Sequence, residues 1–206
     1  MFNAWLLGST LVGYLLGSLP FGYLVARAHG VDIFKAGSGN PGATNVKRVL
    51  GAKAGNTVFA LDVLKGAAAA AWPLLPMVHE ADERMMGLAG VIGAVLGHSF
   101  SIFTKFKGGK GVATAAGGLV VLMPVSCAIG AAVWVLTFLV TRYVSLGSIL
   151  AAVAVPAASW LRGNPLPLNI VASLVGLFVI VRHRENIRRL LNGTENKFAR
   201  KPPAQS

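Results

Sequence analysis

Long apolar runs, separated by short polar or proline-containing breaks, limit this chain to one kind of fold. A bilayer core about 30 Å thick is crossed by a helix of roughly 20 apolar residues. With 54% hydrophobic residues, 13% charged residues and a mean hydropathy of +0.65, the chain is too apolar for an ordinary soluble domain. The predicted spans are Asn3–Ala26, Gly55–Met77, Met85–Phe103, Val112–Ser126, Ile129–Thr141, Ser145–Trp160 and Leu168–Val181.

The predicted fold is an all-α integral membrane protein, a bundle of seven transmembrane helices that forms one domain over residues 1–206. The fourth and fifth spans are short, and we expect a hairpin at Pro124 rather than one bent helix. The first residues lack the basic leader of a secretory signal, so we expect the first run to stay as a span. Residues 198–206 are expected to form a flexible tail.

The distribution of Lys and Arg predicts how the bundle is oriented. If the N-terminus lies outside, in the periplasm, sixteen basic residues fall on the cytoplasmic side with the C-terminus, and only Arg84 and Arg162 fall outside. Cytoplasmic loops of membrane proteins carry this excess of positive charge. Basic loops that face anionic lipid also explain the net charge of +12 without a nucleic-acid partner.

The first polar motif is the glycine-rich stretch Gly37–Asn45, which follows the first span. Glycines allow backbone conformations that direct several N–H groups at one anion. A plain glycine-rich turn is the alternative, but such a turn seldom carries so many donors. No Gly-x-x-x-x-Gly-Lys-Ser/Thr occurs in the chain, so bound ATP is not indicated. The candidate phosphate-binding side chains are Ser38, Asn40, Thr44, Asn45 and, one turn later, Arg48.

The second motif follows the third span. His98 lies near its predicted cytoplasmic end, and Lys105, Lys107 and Lys110 follow among glycines. The stretch from Lys110 is predicted to open the next helix, and a helix N-terminus favours an anion. A basic cytoplasmic loop alone would explain the lysines but not the Gly-Gly-Lys-Gly sequence. For His98 itself, a packing histidine is an equal alternative.

The third motif, Val181–Leu190, follows the last span. On a helix, His183, Asn186 and Leu190 share one face at positions i, i+3 and i+7, so the His and Asn side chains are expected to reach a site together. A basic helix lying on lipid head groups is the alternative. It explains the arginines of the motif but not the His–Asn pair.

Three further polar residues occur near these motifs. Asp62 and Lys65 lie inside the second span, where each charge costs roughly 2.5–3.5 kcal/mol; they are expected to pair, either as a structural pair or as part of the site. Ser145 follows a predicted cytoplasmic turn, where it acts either as a helix N-cap or as a ligand. No His, Cys and carboxylate cluster has metal-binding spacing, so neither a metal nor a cofactor is predicted.

As they stand in this sequence, Gly37–Asn45, Lys107–Thr114 and His183–Ile187 together resemble the acyl-phosphate-dependent glycerol-3-phosphate acyltransferases of bacteria. The resemblance covers nearly the whole chain. It implies a multi-pass enzyme of the bacterial inner membrane whose active site faces the cytoplasm. It also implies transfer of an acyl group from acyl phosphate to the 1-hydroxyl of glycerol 3-phosphate, which gives lysophosphatidic acid and phosphate in the first step of phospholipid synthesis.

The residues agree with this chemistry, because two phosphorylated substrates need a basic, amide-rich site that is open to lipid. None of the four histidines has Asp five positions on, so the His-x-x-x-x-Asp base of acyltransferases that use thioesters is absent. We expect Ser38, Arg48, Lys107 and Asn186 to bind glycerol 3-phosphate. The residues expected to bind acyl phosphate and its departing oxygens are Asn40, Thr44, Ser145, Lys110 and His183.

Acyl phosphate is already activated, so the hydroxyl is expected to attack directly, without a covalent acyl-enzyme. His183, Asn186, Lys107 and Ser38 are the predicted catalytic residues. Either a substrate phosphate or His183 takes the proton. A monomer with membrane lipids around it is expected. The alternatives from other classes are a transporter or channel for an organic phosphate and a non-catalytic scaffold for lipid enzymes.

Overall fold

The computed structural model of the protein describes residues 2–74 and 82–198, and within these ranges the chain is helical with no strand. Short 3₁₀ turns at Trp72–Leu74 and Ile102–Thr104 extend two of the helices. The α-helices are α1 Phe2–Ser18, α2 Phe21–Ala28, α3 Ala43–Leu50, α4 Ala52–Ala71, α5 Glu83–Ser99, α6 Val112–Leu122, α7 Pro124–Thr141, α8 Val144–Leu161, α9 Leu166–Arg182 and α10 Arg184–Leu191.

Five helical segments in the described part of the chain are long and apolar enough to cross a bilayer, and the pair α9–α10, bent by 57°, makes a sixth when it is counted as one span. Helix α6 has 11 residues and is therefore only about 16 Å long at 1.5 Å per residue, well short of a bilayer core. A multi-span helical architecture is thus present, while the count of seven spans and the orientation stay predictions. The predicted end of the second span, Met77, lies outside the described residues.

Two proline positions determine where helices begin and end. The predicted first span is divided at Leu19 and Pro20 into α1 and α2, because proline has no N–H to continue the helical hydrogen bonds. The break between α6 and α7 falls at Met123, with Pro124 at the start of α7, where proline is tolerated. A helix break at Pro124 is thus present, although α6 ends at Leu122 rather than Ser126 and α7 begins at Pro124 rather than Ile129. That the two helices form a hairpin of two spans stays a prediction.

Glycines bring the long helices into close contact. A Cβ added at Gly13 of α1 would lie 2.1 Å from the carbonyl oxygen of Gly90 in α5. A Cβ at Gly66 of α4 would lie 2.0 Å from the carbonyl oxygen of Thr114 in α6. Small residues at such crossings let helix backbones touch, which is the usual basis of helix association in lipid.

Two apolar clusters hold the polar motifs in place. The larger joins α5, α6 and the first part of α9; the smaller joins α2, α3 and α4 beneath the glycine-rich stretch. Buried members of the larger cluster include Leu88, Val91, Val95, Leu119 and Val175, and those of the smaller are Ala26, Ile33, Val46, Ala54 and Val58. The three motifs are therefore presented by packed helices rather than by free loops.

Candidate active site

A cavity of about 640 Å³ lies between α3, α4, the start of α6, α7, α8 and the α9–α10 junction, and all three polar motifs contribute to its walls. Its volume is typical of a small-molecule site, which spans roughly 300–1,000 Å³. The predicted binding residues that line it are Ser38, Asn40, Thr44, Asn45, Arg48, His98, Lys110, Ser145, His183 and Asn186.

Lys107 is the predicted site residue that does not line this cavity. Its side chain is exposed and lines a neighbouring cavity of about 20 Å³ together with Asp62, Lys65 and His98. Asp62 and His98 line both cavities. Lys107 therefore lies beside the main cavity, on the other side of an Asp–His contact.

The glycine-rich stretch is folded by two of its own asparagines. Asn45 is 2% exposed; its Oδ1 accepts a hydrogen bond from the Ser38 N–H (2.9 Å) and its Nδ2 donates to the Ala36 carbonyl (2.9 Å). Gly37 has a φ of +59°, and a Cβ there would lie 2.3 Å from Asn45 Oδ1, so this turn requires glycine. Asn40 Oδ1 accepts from the Gly42 N–H at 2.8 Å. Asn45, predicted as a ligand, thus has both ends of its amide bound within the loop.

A network of hydrogen bonds centred on Glu195 joins the third motif to α8. Its Oε1 accepts from Ser145 Oγ and Asn186 Nδ2, both at 2.8 Å, and its Oε2 accepts from Arg189 Nε at 2.7 Å. Lys110 Nζ donates to Asn186 Oδ1, which brings the second motif into the same network. Ser145 is therefore not an N-cap; Tyr143 occupies that position of α8.

The carboxylate at the centre of this network is ionised at neutral pH. Burial alone would raise the pKa of Glu195, but the hydrogen bonds from Asn186, Ser145 and Arg189 outweigh it and leave the pKa below its usual value. Burial, with a smaller effect of nearby arginines, lowers the pKa of Lys110 to about 8. Lys110 therefore carries its charge at neutral pH.

His183 lies between α9 and α10, beyond the apolar part of α9, rather than within a helix as predicted. Its Nδ1 is 2.7 Å from the Val179 carbonyl oxygen. A carbonyl can only accept, so Nδ1 carries the hydrogen and Nε2 is an acceptor. Burial, followed by the charge of Lys110, lowers the pKa of His183 to about 4. His183 is therefore a neutral imidazole that can accept a hydrogen bond.

The predicted pairing of Asp62 and Lys65 is confirmed: Lys65 Nζ lies 2.8 Å from Asp62 Oδ1, and both side chains are 3% exposed. Lys65 also donates to the Leu19 carbonyl at 2.9 Å, at the break between α1 and α2. His98 Nδ1 approaches Asp62 Oδ1 at 3.5 Å. An Asp–His contact thus exists at the cavity wall, formed by two helices rather than by a sequence motif.

Arg182 holds the glycine loop of the second motif. Its Nη2 donates to the Gly109 carbonyl at 2.9 Å and more weakly to the Gly108 carbonyl at 3.4 Å. Its guanidinium also lies 5.2 Å from the ring centroid of Phe100. The backbone between Lys107 and Lys110 is therefore tied to the end of α9.

Part of the cavity lining is aromatic. Phe59 of α4 lines the cavity together with the aromatic pair Trp134 and Phe138 of α7, and the rings of that pair are stacked with centroids 5.3 Å apart. Phe198 completes the aromatic part of the wall. The cavity thus combines cations and amides with a surface that suits a hydrocarbon chain.

Glu195 is the main site residue that the sequence interpretation missed. It is nine residues from Asn186, in an irregular segment where no helical periodicity connects the two. The only sequence signal was a carboxylate within a strongly basic C-terminal region, where opposite charges are expected to pair.

Comparison with known proteins agrees with the three motifs. The profile of the family described as "Glycerol-3-phosphate acyltransferase" matches residues 7–193. A glycerol-3-phosphate acyltransferase of Brucella canis is 44% identical over 201 residues, which are 97% of this chain and 96% of that protein. The Aquifex aeolicus enzyme of the same name is 44% identical over 190 residues, 91% of this chain and 96% of its own.

The fold is also similar to that of a solved membrane enzyme. Two crystal structures of PlsY (YgiH), an integral membrane glycerol 3-phosphate acyltransferase, each cover 94% of this chain. The glycerol 3-phosphate form has a TM-score of 0.86 and 41% sequence identity, and 96% of its chain is covered. The lysophosphatidic acid form has a TM-score of 0.83 and 42% sequence identity, and 95% of its chain is covered. With a family profile that spans most of its length and relatives this similar, the chain belongs to the glycerol-3-phosphate acyltransferase family of integral membrane proteins.

Proposed function

We propose that this protein transfers a fatty acyl group from acyl phosphate to the 1-hydroxyl of glycerol 3-phosphate, releasing lysophosphatidic acid and inorganic phosphate. One observation carries the proposal: three motifs from distant parts of the chain line a single cavity whose lining combines cations and amides with aromatic side chains. Both substrates carry a phosphate and one carries a long chain, so both surfaces are needed. The relatives' activity on glycerol 3-phosphate supports it.

In the proposed reaction the glycerol hydroxyl oxygen bonds to the acyl carbon, and the bond between that carbon and the phosphate oxygen breaks. The bonding electrons leave with the phosphate, and the hydroxyl proton ends on it as hydrogen phosphate. Cations and oriented amides stabilise the negative charge that develops on the oxygens. The protein thus contributes positioning and charge rather than a covalent intermediate.

His183 is suited to orient the hydroxyl rather than to take its proton. Its acceptor nitrogen Nε2 can receive a hydrogen bond, but a pKa of about 4 makes it a weak base at neutral pH, so protonating it is costly. A substrate phosphate, whose second pKa is about 6, is the better proton acceptor. His183 then contributes to catalysis through alignment of the attacking oxygen.

For the two phosphate groups we propose two different sets of donors. Ser38, Arg48 and Asn186, with Lys107 reaching in from the smaller cavity, bind glycerol 3-phosphate. Acyl phosphate is bound by Lys110, Asn40, Thr44 and Ser145, next to the N-terminus of α6. The N–H groups there, free of intrahelical partners, favour an anion.

We place the protein in the bacterial inner membrane as a monomer of seven spans, with the N-terminus in the periplasm and the cavity facing the cytoplasm. The basic loops of the chain support this orientation, because such loops stay in the cytoplasm. The acyl chain would reach the aromatic wall from the lipid, and the charged head groups would come from the cytoplasmic water.

The direct test is purified protein in detergent with palmitoyl phosphate and glycerol 3-phosphate. We expect inorganic phosphate and lysophosphatidic acid in equal amounts, and no phosphate above background when glycerol 3-phosphate is omitted. Palmitoyl-CoA and palmitoyl acyl carrier protein serve as control donors. Acyl transfer from these thioesters without acyl phosphate would contradict the proposed donor, and transport in vesicles without any acyl transfer would favour the transporter alternative.

A further inference from the structure

The chain crosses the cavity once more after α10, in a segment that no motif predicted. Helix α10 ends at Leu191, and Gly193, with φ +69°, turns the chain back. Residues 194–198, which we call the C-terminal strap, then run without helical structure along the cavity. Glu195 and Phe198 of the strap line it directly.

Phe198 fixes the far end of the strap to α7. Its N–H donates to the Arg142 carbonyl at 3.1 Å, and its ring meets the Phe138 ring edge to face, with centroids 6.1 Å apart and planes at 74°. Such edge-to-face pairs are stabilising beyond the apolar area that they bury. With Glu195 bound to Ser145 at 2.8 Å, the strap is anchored at both ends.

Between these anchors the strap holds Arg48. Arg48 Nη2 donates to the Asn196 carbonyl at 3.1 Å, and Arg48 Cζ lies 5.0 Å from the centroid of the Phe198 ring. Arg48 belongs to α3, 148 residues away in sequence. The hydrogen bond uses one of the five N–H donors of the guanidinium, and the ring supports its planar face.

We propose that Phe198, together with the Asn196 carbonyl, is a positioning residue that holds the Arg48 guanidinium ready for the phosphate of glycerol 3-phosphate. This rests on the proposed function. Arginine has large rotamer freedom, and ordering it before the substrate arrives removes that cost from binding. Through Arg48, Phe198 therefore tunes the affinity for glycerol 3-phosphate without touching the reacting atoms.

The test compares substitutions at Phe198. Phe198→Ala is expected to raise KM for glycerol 3-phosphate roughly 3- to 20-fold, from the usual strength of a cation–π contact. The kcat should stay within about twofold, since the reacting groups are untouched. Because Phe198 also lines the aromatic wall, KM for glycerol 3-phosphate is measured at saturating palmitoyl phosphate. Phe198→Tyr keeps the ring, so its KM for glycerol 3-phosphate should be that of the wild type. Phe198→Leu keeps the bulk against Phe138 but loses the ring, so its KM should be raised as in Phe198→Ala.

Two controls separate positioning from a general structural role. Lys197→Met alters the same strap at an exposed residue that lies over the Tyr143 ring, so KM for glycerol 3-phosphate should be unchanged. In an Arg48→Lys background the guanidinium is gone, and Phe198→Ala should then raise KM by clearly less than in the wild type. Each variant is first checked for a single monodisperse species in detergent.

Several results would overturn the inference. It fails if Phe198→Ala leaves KM for glycerol 3-phosphate unchanged, or if the Phe198→Leu and Phe198→Tyr variants have the same KM for it. It also fails if the effects of the substitutions at Phe198 and Arg48 are simply additive. Calorimetric binding of glycerol 3-phosphate to the same variants, without a donor, separates the two proposals. If the wild type binds glycerol 3-phosphate more tightly than the Phe198→Ala variant but does not use palmitoyl phosphate, only the proposed donor is contradicted. If the wild type does not bind glycerol 3-phosphate at all, both proposals are contradicted.

Discussion

Lys110 occupies a position where its charge changes just above neutral pH. Burial lowers its pKa to about 8, so it is a cation below that pH and neutral above it. Phosphate is already a dianion there, since its second pKa is about 6. We therefore predict that kcat/KM for palmitoyl phosphate falls above about pH 8, approaching tenfold per pH unit because the free enzyme loses the cation.

Lys110→Arg is the control for this assignment, because arginine keeps its charge throughout this range. However active the Lys110→Arg variant is, the fall in its kcat/KM at alkaline pH should move above pH 10 or vanish. The measurement is initial rate against pH, with spontaneous hydrolysis of palmitoyl phosphate subtracted at each point. An alkaline limb that stays near pH 8 in the Lys110→Arg variant would assign the titration to another group.

At the scale of elements, the loop between α2 and α3 depends on one buried amide. Asn45→Ala removes both the acceptor of the Ser38 N–H and the donor to Ala36. Each lost hydrogen-bond partner lowers the free energy of unfolding by about 1–3 kcal/mol where water cannot replace it. We predict a lower unfolding temperature in detergent and a loss of kcat/KM for glycerol 3-phosphate of at least about tenfold, the equivalent of 1.4 kcal/mol.

The matched comparison is Ser38→Ala, which keeps the loop hydrogen bonds, because these use the Ser38 backbone. It should lower kcat/KM with little change in unfolding temperature. If Asn45 acts by placing Ser38, the double variant should lose less activity than the product of the two single effects. Multiplicative losses would instead mean that Asn45 binds substrate by itself, as the sequence had suggested.

The same elements show how far the sequence could lead. Apolar length predicted most helices, and Lys110-Gly-Val predicted the start of α6, because local rules govern both features. The predicted first span includes Pro20, where the structure has a helix break. A proline in a membrane helix either kinks the helix or ends it, and packing, not local sequence, decides which of the two occurs. Asn45 was read as a ligand because donors for phosphate and donors for the backbone have the same chemistry. Glu195 depended on a tertiary contact that no local pattern encodes.

At the scale of the whole molecule, charge and packing assign different tasks to the two ends of the bundle. The described cations that line the cavity come from α3, the start of α6 and α9–α10, while the α8–α9 end carries a neutral network in which Ser159 donates to Asn169 (2.6 Å). A basic end is held in the cytoplasm during insertion. The predicted orientation and the proposed substrate site thus depend on the same residues.

This orientation can be tested with single cysteines, because Cys127 is the only cysteine in the chain. In a Cys127→Ala background that keeps activity, Lys35→Cys reports the cavity side, where the Lys35 side chain is 86% exposed. Arg162→Cys reports the opposite end, also exposed. A membrane-impermeant maleimide should label the Arg162→Cys variant in intact spheroplasts and the Lys35→Cys variant only after lysis. The reverse pattern would place the cavity in the periplasm and would contradict the proposed orientation.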